Sequence, residues 1–168
     1  MGPYSPSPIA TATPDLTANW KTYTNTKYGF SFKFPESINK LDKITDDLVD
    51  IYGMDNLVIQ INVIKTNETD PLKWWNNQTI EPYTKKSVTC FTKNTSSTVK
   101  SLYDSNKTIL DLKENVLMLD NWRSKENACS EPPEVMILLI PHNGKIINIT
   151  SDWGLESEQI LSTFKFTQ

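Results

Sequence analysis

Between Tyr28 and Pro35 the chain alternates without exception: Phe30, Phe32 and Phe34 fall on one side, Ser31 and Lys33 on the other. Period two is the side-chain repeat of an extended strand, and three phenyl rings on one face are too costly to leave in water. The segment is therefore constrained to be a half-buried strand whose aromatic face meets a core. Pro35 has no N–H to give to a ladder and closes it. Upstream, residues 19–24 read as a shorter strand, with Trp20, Thr22 and Thr24 on one face. Asn25, Thr26 and Lys27 turn the chain so that the two strands pair as a hairpin. The far end answers with Ile160-Leu-Ser-Thr-Phe-Lys-Phe166, which repeats the spacing with Phe164 and Phe166.

The same logic extends along the chain. In residues 57–64, Leu57, Ile59, Ile61 and Val63 point one way; Val58 and Ile64 share the other face with Gln60 and Asn62, which is then only partly covered. Residues 135–140 are a continuous apolar run, as in a strand covered on both faces. His142-Asn-Gly-Lys145 is a hairpin turn, and residues 145–150 return with Ile147 and Ile149 inward. Asp70 is placed to cap a helix begun by Pro71, with Leu72 and Trp75 on its apolar side and Asn76-Asn77 ending it. A second helix is expected over 156–163, with Ile160, Leu161 and Phe164 on its core face. Short strands are expected at 88–91, 108–112, 116–119 and 122–128, with turns at 94–97 and 104–107. Residues 35–55 read equally as a loop, a strand pair or a helix. The expected class is α+β: an antiparallel sheet with helices packed on it.

At 168 residues, the chain fits one domain, 19–168, behind a Pro/Ser/Thr-rich segment, 1–18, that carries Pro3, Pro6, Pro8 and Pro14. The start has neither a basic region nor an apolar one of the kind that opens a secretory signal, and it is read as the inside of a tether. Seventeen basic against twenty acidic residues leave a net charge of −3, and the lysines are scattered rather than striped. That argues against a nucleic-acid surface. The longest apolar run, 135–140, falls far short of the roughly 20 residues of a spanning helix. Arg123 is the only arginine, which with abundant Asn, Thr and Ile hints at an AT-rich, microbial coding sequence.

The two ends, 20–35 and 160–166, resemble the PsbP-like domains of bacterial surface lipoproteins, which are similar to the PsbP/Mog1 superfamily. The resemblance covers about a fifth of the chain and rests on core-forming residues. It implies an α/β/α sandwich, that is, an antiparallel β-sheet flanked by helices. It also implies a cell-envelope address in which the N-terminal segment follows a lipidated cysteine. It carries over no functional residue.

Candidate chemistry is sparse. Cys90 and Cys129 read as a disulfide if the protein is extracytoplasmic, or else as two buried thiols. With His142 as the only histidine, a zinc site or a thiol–imidazole pair has little support. Trp74, Trp75, Trp122 and Trp153 are the candidate ligand or partner contacts, set against a plain packing role. Asp46, Asp47, Asp50 and Asp55 lack the spacing of a calcium loop. Glu131, Glu134, Glu156 and Glu158 could supply a carboxylate pair for hydrolysis. Asn67, Asn77, Asn94, Asn106 and Asn148 head Asn-X-Ser/Thr triplets, which chance explains in so Asn-rich a chain. The sequence therefore points to a non-enzymatic extracytoplasmic binding or scaffold domain. It would have no cofactor and no metal, touch the membrane only through a lipid anchor, and meet an unknown protein or envelope component. The alternatives are a carboxylate-dependent hydrolase with a cleft near Trp122 or Trp153, and a subunit of a larger envelope assembly.

Overall fold

A computed structural model describes residues 15–38, 40–53, 56–77, 92–101, 103–120, 135–152 and 154–167. The aromatic hairpin forms as its alternation requires: β1 (Lys21–Asn25) pairs antiparallel with β2 (Phe30–Phe34), setting Tyr23 opposite Phe32 and Asn25 opposite Phe30. The ambiguous stretch after Pro35 resolves as a second hairpin, β3 (Lys40–Thr45) and β4 (Leu48–Gly53), turning at Asp46-Asp47. β5 (Asn56–Ile64) follows, then α1 (Pro71–Asn76). Next come β6 (Thr92–Lys100), β7 (Thr108–Asp120), β8 (Val135–His142) and β9 (Lys145–Asp152). The chain closes with α2 (Leu155–Leu161) and β10 (Lys165–Phe166).

These strands make two sheets. Seven are ordered β3-β4-β5-β9-β8-β7-β6, all antiparallel; the other three are ordered β1-β2-β10, so the two ends of the chain meet on β2. The small sheet turns its phenyl face onto the large one. Phe30, Phe32 and Phe164 pack with Ile59, Ile61, Leu138 and Ile147 in the main core, and Ile160 and Leu161 of α2 complete it. On the opposite face of the large sheet, Trp75 of α1 sits on Leu117, Leu119, Leu139 and Ile146. Residues 136–140 thus contribute to both cores, as their unbroken apolar run demands.

The expected α+β sandwich, an antiparallel sheet flanked by helical layers, is corrected: the protein is mostly antiparallel β-sheet. Among the described residues there are two helices, of six and seven residues, against ten strands. The signals for both helices are genuine. Asp70 caps α1, its carboxylate accepting from the N–H groups of Leu72 and Lys73, and Pro71 occupies the first turn. Yet neither segment offers an apolar stripe longer than about two turns, so the main core face is closed chiefly by a second sheet.

Three local expectations also change. Residues 94–97 were expected to turn, but lie inside β6. The two short strands at 108–112 and 116–119 are one strand, β7. Its ladder with β6 jumps from Ser96↔Val116 to Thr98↔Asp111, so residues 112–115 bulge out of register. Leu57 was expected inward with Ile59, Ile61 and Val63; it is exposed at the strand end, beyond an irregularity where Tyr52 pairs with Leu57. The strands expected at 88–91 and 122–128 lie outside the described residues.

Candidate ligand-binding cleft

The small sheet is held on the edge of the large one by a set of polar contacts around the β1–β2 turn. Asn25, 4% exposed, donates its amide N–H to the Asp46 carbonyl at 2.8 Å, and its Oδ1 accepts from the Tyr28 N–H at 3.1 Å. Asp47 accepts from the Tyr28 hydroxyl, pairs with Lys27 at 3.0 Å, and pairs with Lys65. Lys65, Tyr28 and Lys27, in that order of effect, hold the Asp47 carboxyl far below its ordinary range, and Asp47 in turn raises both lysines. The Asp46-Asp47 turn of the β3–β4 hairpin is therefore the clasp between the two sheets.

Beside this clasp the hairpin end of β8–β9 meets the small sheet. Asn143 and Gly144 both have positive φ, 47° and 68°, giving the two-residue turn whose twist suits a hairpin. The turn places His142 flat against Phe166 of β10, with ring centroids 3.6 Å apart and planes 10° from parallel. Asn143 Nδ2 lies 3.0 Å from His142 Nε2; with the amide donating, Nε2 is the unprotonated ring nitrogen. Opposite, Gly29 adopts φ 67° and its carbonyl accepts the Thr167 N–H at 2.8 Å. A Cβ at residue 29 would come within 2.7 Å of the Thr167 oxygen. Only glycine lets the backbones approach this closely.

Two adjoining cavities open on either side of this junction, and His142, Asn143 and Thr167 border both. One, about 500 Å³, adds Lys27, Tyr28, Gly29, Lys145 and Ile147. The other, about 480 Å³, adds Asp111, Leu112 and Lys113 from the β7 bulge, and Phe164, Lys165 and Phe166 from the chain end. Each falls within the size range of small-molecule sites; the first is lined mostly by polar residues beside Tyr28 and Ile147, and the second adds the apolar walls of Leu112, Ile140, Phe164 and Phe166. Among the described residues their charge is one-sided: four lysines line them and a single carboxylate, Asp111. Lys27 is already committed to Asp47, whereas Lys113, Lys145 and Lys165 make no ion pair among the described residues.

The candidate contacts read from the sequence fall elsewhere. Trp75 is 9% exposed and Trp74 half-buried, both packed in the second core; they fasten α1 to the sheet and line neither cavity. Trp122, Trp153, Cys90 and Cys129 lie outside the described residues, as do Asp55, Glu131 and Glu134. Glu158 is buried and accepts the Ser101 hydroxyl at 2.6 Å, while Glu156 accepts from Ser37 at 2.9 Å. Asn148 sits mid-strand in β9 with Oδ1 buried, an unsuitable place for a glycan. No group of three or more potential metal ligands occurs among the described residues. No protein-family model matches the chain, and a search of curated proteins gives no match.

Sequence reasoning missed the cleft for two reasons. It considered His142 only as a zinc ligand, a partner for a thiol or a turn residue, and it treated the two aromatic ends as silent on function. Those ends bring Tyr28, Gly29, Phe166 and Thr167 to the cleft wall. The available signals were the Tyr28-Gly29 step between two strands and the lone histidine beside an Asn-Gly turn.

Proposed function

We propose that this chain is a non-enzymatic binding module whose cleft beside His142 takes a small organic anion with a planar, apolar body. The observation that carries the reading is the set of three lysines that make no ion pair among the described residues, Lys113, Lys145 and Lys165, around walls made by Leu112, Ile140 and the stacked His142–Phe166 pair. An ammonium group beside an apolar wall favours a ligand that carries both a negative charge and an apolar face. Among the described residues the cleft has one carboxylate, Asp111, and not the carboxylate pair a glycosidase uses.

Calorimetric titration with 2-naphthoate and its neutral amide, 2-naphthamide, tests this. The acid is expected to bind about tenfold or more tightly than the amide, the difference a charge-assisted hydrogen bond supplies. Lys113→Gln and Lys145→Gln are expected to weaken the acid alone. Equal affinities, or no binding of either, would overturn the reading.

The module is placed outside the cytoplasm, carried on residues 1–18 as a tether, with Cys90 and Cys129 bridged. The Pro/Ser/Thr composition of the tether and the resemblance of the chain ends to surface lipoprotein domains support this address. Two titratable thiols in native protein purified under oxidising conditions would contradict it.

A further inference from the structure

The outer face of the small sheet, turned away from the core, carries a second and unassigned feature. On β2, Ser31 and Lys33 point outward between Thr22 of β1 and Lys165 of β10, and Thr163 closes one end. Together with Thr17 they border a cavity of about 260 Å³. Ser31 is 2% exposed, and its hydroxyl has no hydrogen-bond partner among the described residues. A buried hydroxyl with no protein partner is rare and costs free energy, so its presence calls for an explanation.

We propose that this cavity is a small-oxyanion site, for phosphate or a phosphate ester, built from Ser31, Lys33 and Lys165. The chemistry of the wall points one way. Among the described residues its charged groups are two ammonium ions and no carboxylate borders it; Thr17, Ser162 and Thr163 already donate their hydroxyls to Asp15 Oδ1 and to the Gln159 and Ile160 carbonyls, which leaves the Ser31 hydroxyl free to donate. Asp15, whose carboxyl is lowered chiefly by its bonds from Thr17 and slightly by the charge of Lys33, directs its Oδ1 to the Thr17 N–H and hydroxyl rather than to the cavity. Lys165 makes no ion pair among the described residues. Among the described residues the Lys33 ammonium group makes only two long contacts, at 3.3 Å to the Thr17 carbonyl and 3.4 Å to the Thr17 hydroxyl. An oxyanion offers both ammonium groups a stronger, charge-assisted partner and gives the Ser31 hydroxyl its missing acceptor. Because Thr17 is where the N-terminal segment joins the sheet, the site lies at the root of that segment. It does not rest on the His142 cleft, although Lys165 borders both.

The test uses the full chain labelled with ¹⁵N, titrated at constant ionic strength with inorganic phosphate, glycerol 3-phosphate and, as a control, chloride. Saturable shifts are expected at Ser31, Lys33, Thr163 and Lys165 with either phosphate and not with chloride. Tighter binding of glycerol 3-phosphate would assign the site to esters; equal binding would assign it to the free ion. Ser31→Ala removes an unpartnered hydroxyl and is expected to leave the thermal midpoint unchanged or raised, while weakening phosphate about tenfold. Lys33→Gln is expected to abolish saturation without altering 2-naphthoate binding. Shifts that fail to saturate, that chloride reproduces, or that survive both substitutions would overturn the proposal.

Discussion

Replacing Gly29 with alanine tests whether the close approach of the two chain ends shapes the protein. Gly29 has φ 67°, a left-handed conformation that costs an L-residue about 1–2 kcal/mol. Its added methyl carbon would stand 2.7 Å from the Thr167 carbonyl oxygen, which is backbone and cannot swing aside. Relieving that contact means parting β10 from the β1–β2 turn and losing the Thr167 N–H to Gly29 O bond of 2.8 Å, about another 1 kcal/mol. The expected destabilisation is therefore about 2–3 kcal/mol. Gly144 is the internal control: it has nearly the same φ, 68°, but an added methyl there meets nothing within 4 Å. Gly144→Ala should cost only the conformational part, about 1–2 kcal/mol. Urea unfolding of both variants, analysed by linear extrapolation with a common slope, reads the difference. Equal losses for the two substitutions would refute the claim that Thr167 crowds residue 29.

The Asp47 clasp makes stability pH-dependent at both extremes. Because the folded-state carboxyl is lowered, its contribution is complete above the ordinary value of 3.8 and is lost as pH falls toward the depressed one. Lys27 and Lys65 are raised, so their share is complete below 10.5 and is lost as pH rises further. Asp47→Asn is expected to flatten the acid-side fall in the urea midpoint; a wild-type slope in that variant would contradict the clasp. In the second core, Trp75→Ala should cost about 3–5 kcal/mol by leaving Leu117, Leu119, Leu139 and Ile146 without their cover, whereas Leu72→Ala, on the exposed side of the same helix, should change stability by under about 0.5 kcal/mol. Similar losses in the two variants would show that α1 is not anchored through Trp75.

The parts of the fold legible in the sequence are those where one local rule acts alone. Phe30, Phe32 and Phe34 alternate strictly, Asp70-Pro71 announces a helix, and Asn143-Gly144 demands a hairpin; each element forms where these residues place it. The errors occur where tertiary pairing overrides local composition. Residues 94–97 have turn chemistry, yet pairing with residues 116–118 of β7 extends them into a strand. Two short helix signals suggested helical layers, but helices of six and seven residues cannot cover a seven-stranded sheet, and the aromatic hairpin takes that role. The cleft was illegible for a different reason. Its residues come from three distant places in the chain, near 27–29, 111–113 and 142–167, and only the crossing of two sheets brings them together. The tryptophans drew attention by size, and Trp75 proves to be packing; Lys113, Lys145 and Lys165 are ordinary in sequence and distinguished by lining the cleft without an ion pair among the described residues.

The proposed cleft is tested most directly by a chemical-shift map of the ¹⁵N-labelled protein saturated with 2-naphthoate, with the His142 ring protons followed in parallel. The expected result is a contiguous set of shifts at Gly29, residues 111–113, His142, Asn143, Lys145 and residues 165–167, with the His142 ring protons displaced by the stacked naphthyl ring. Shifts centred on the tryptophans of α1, on the β3–β4 hairpin, or nowhere at saturating acid would contradict it.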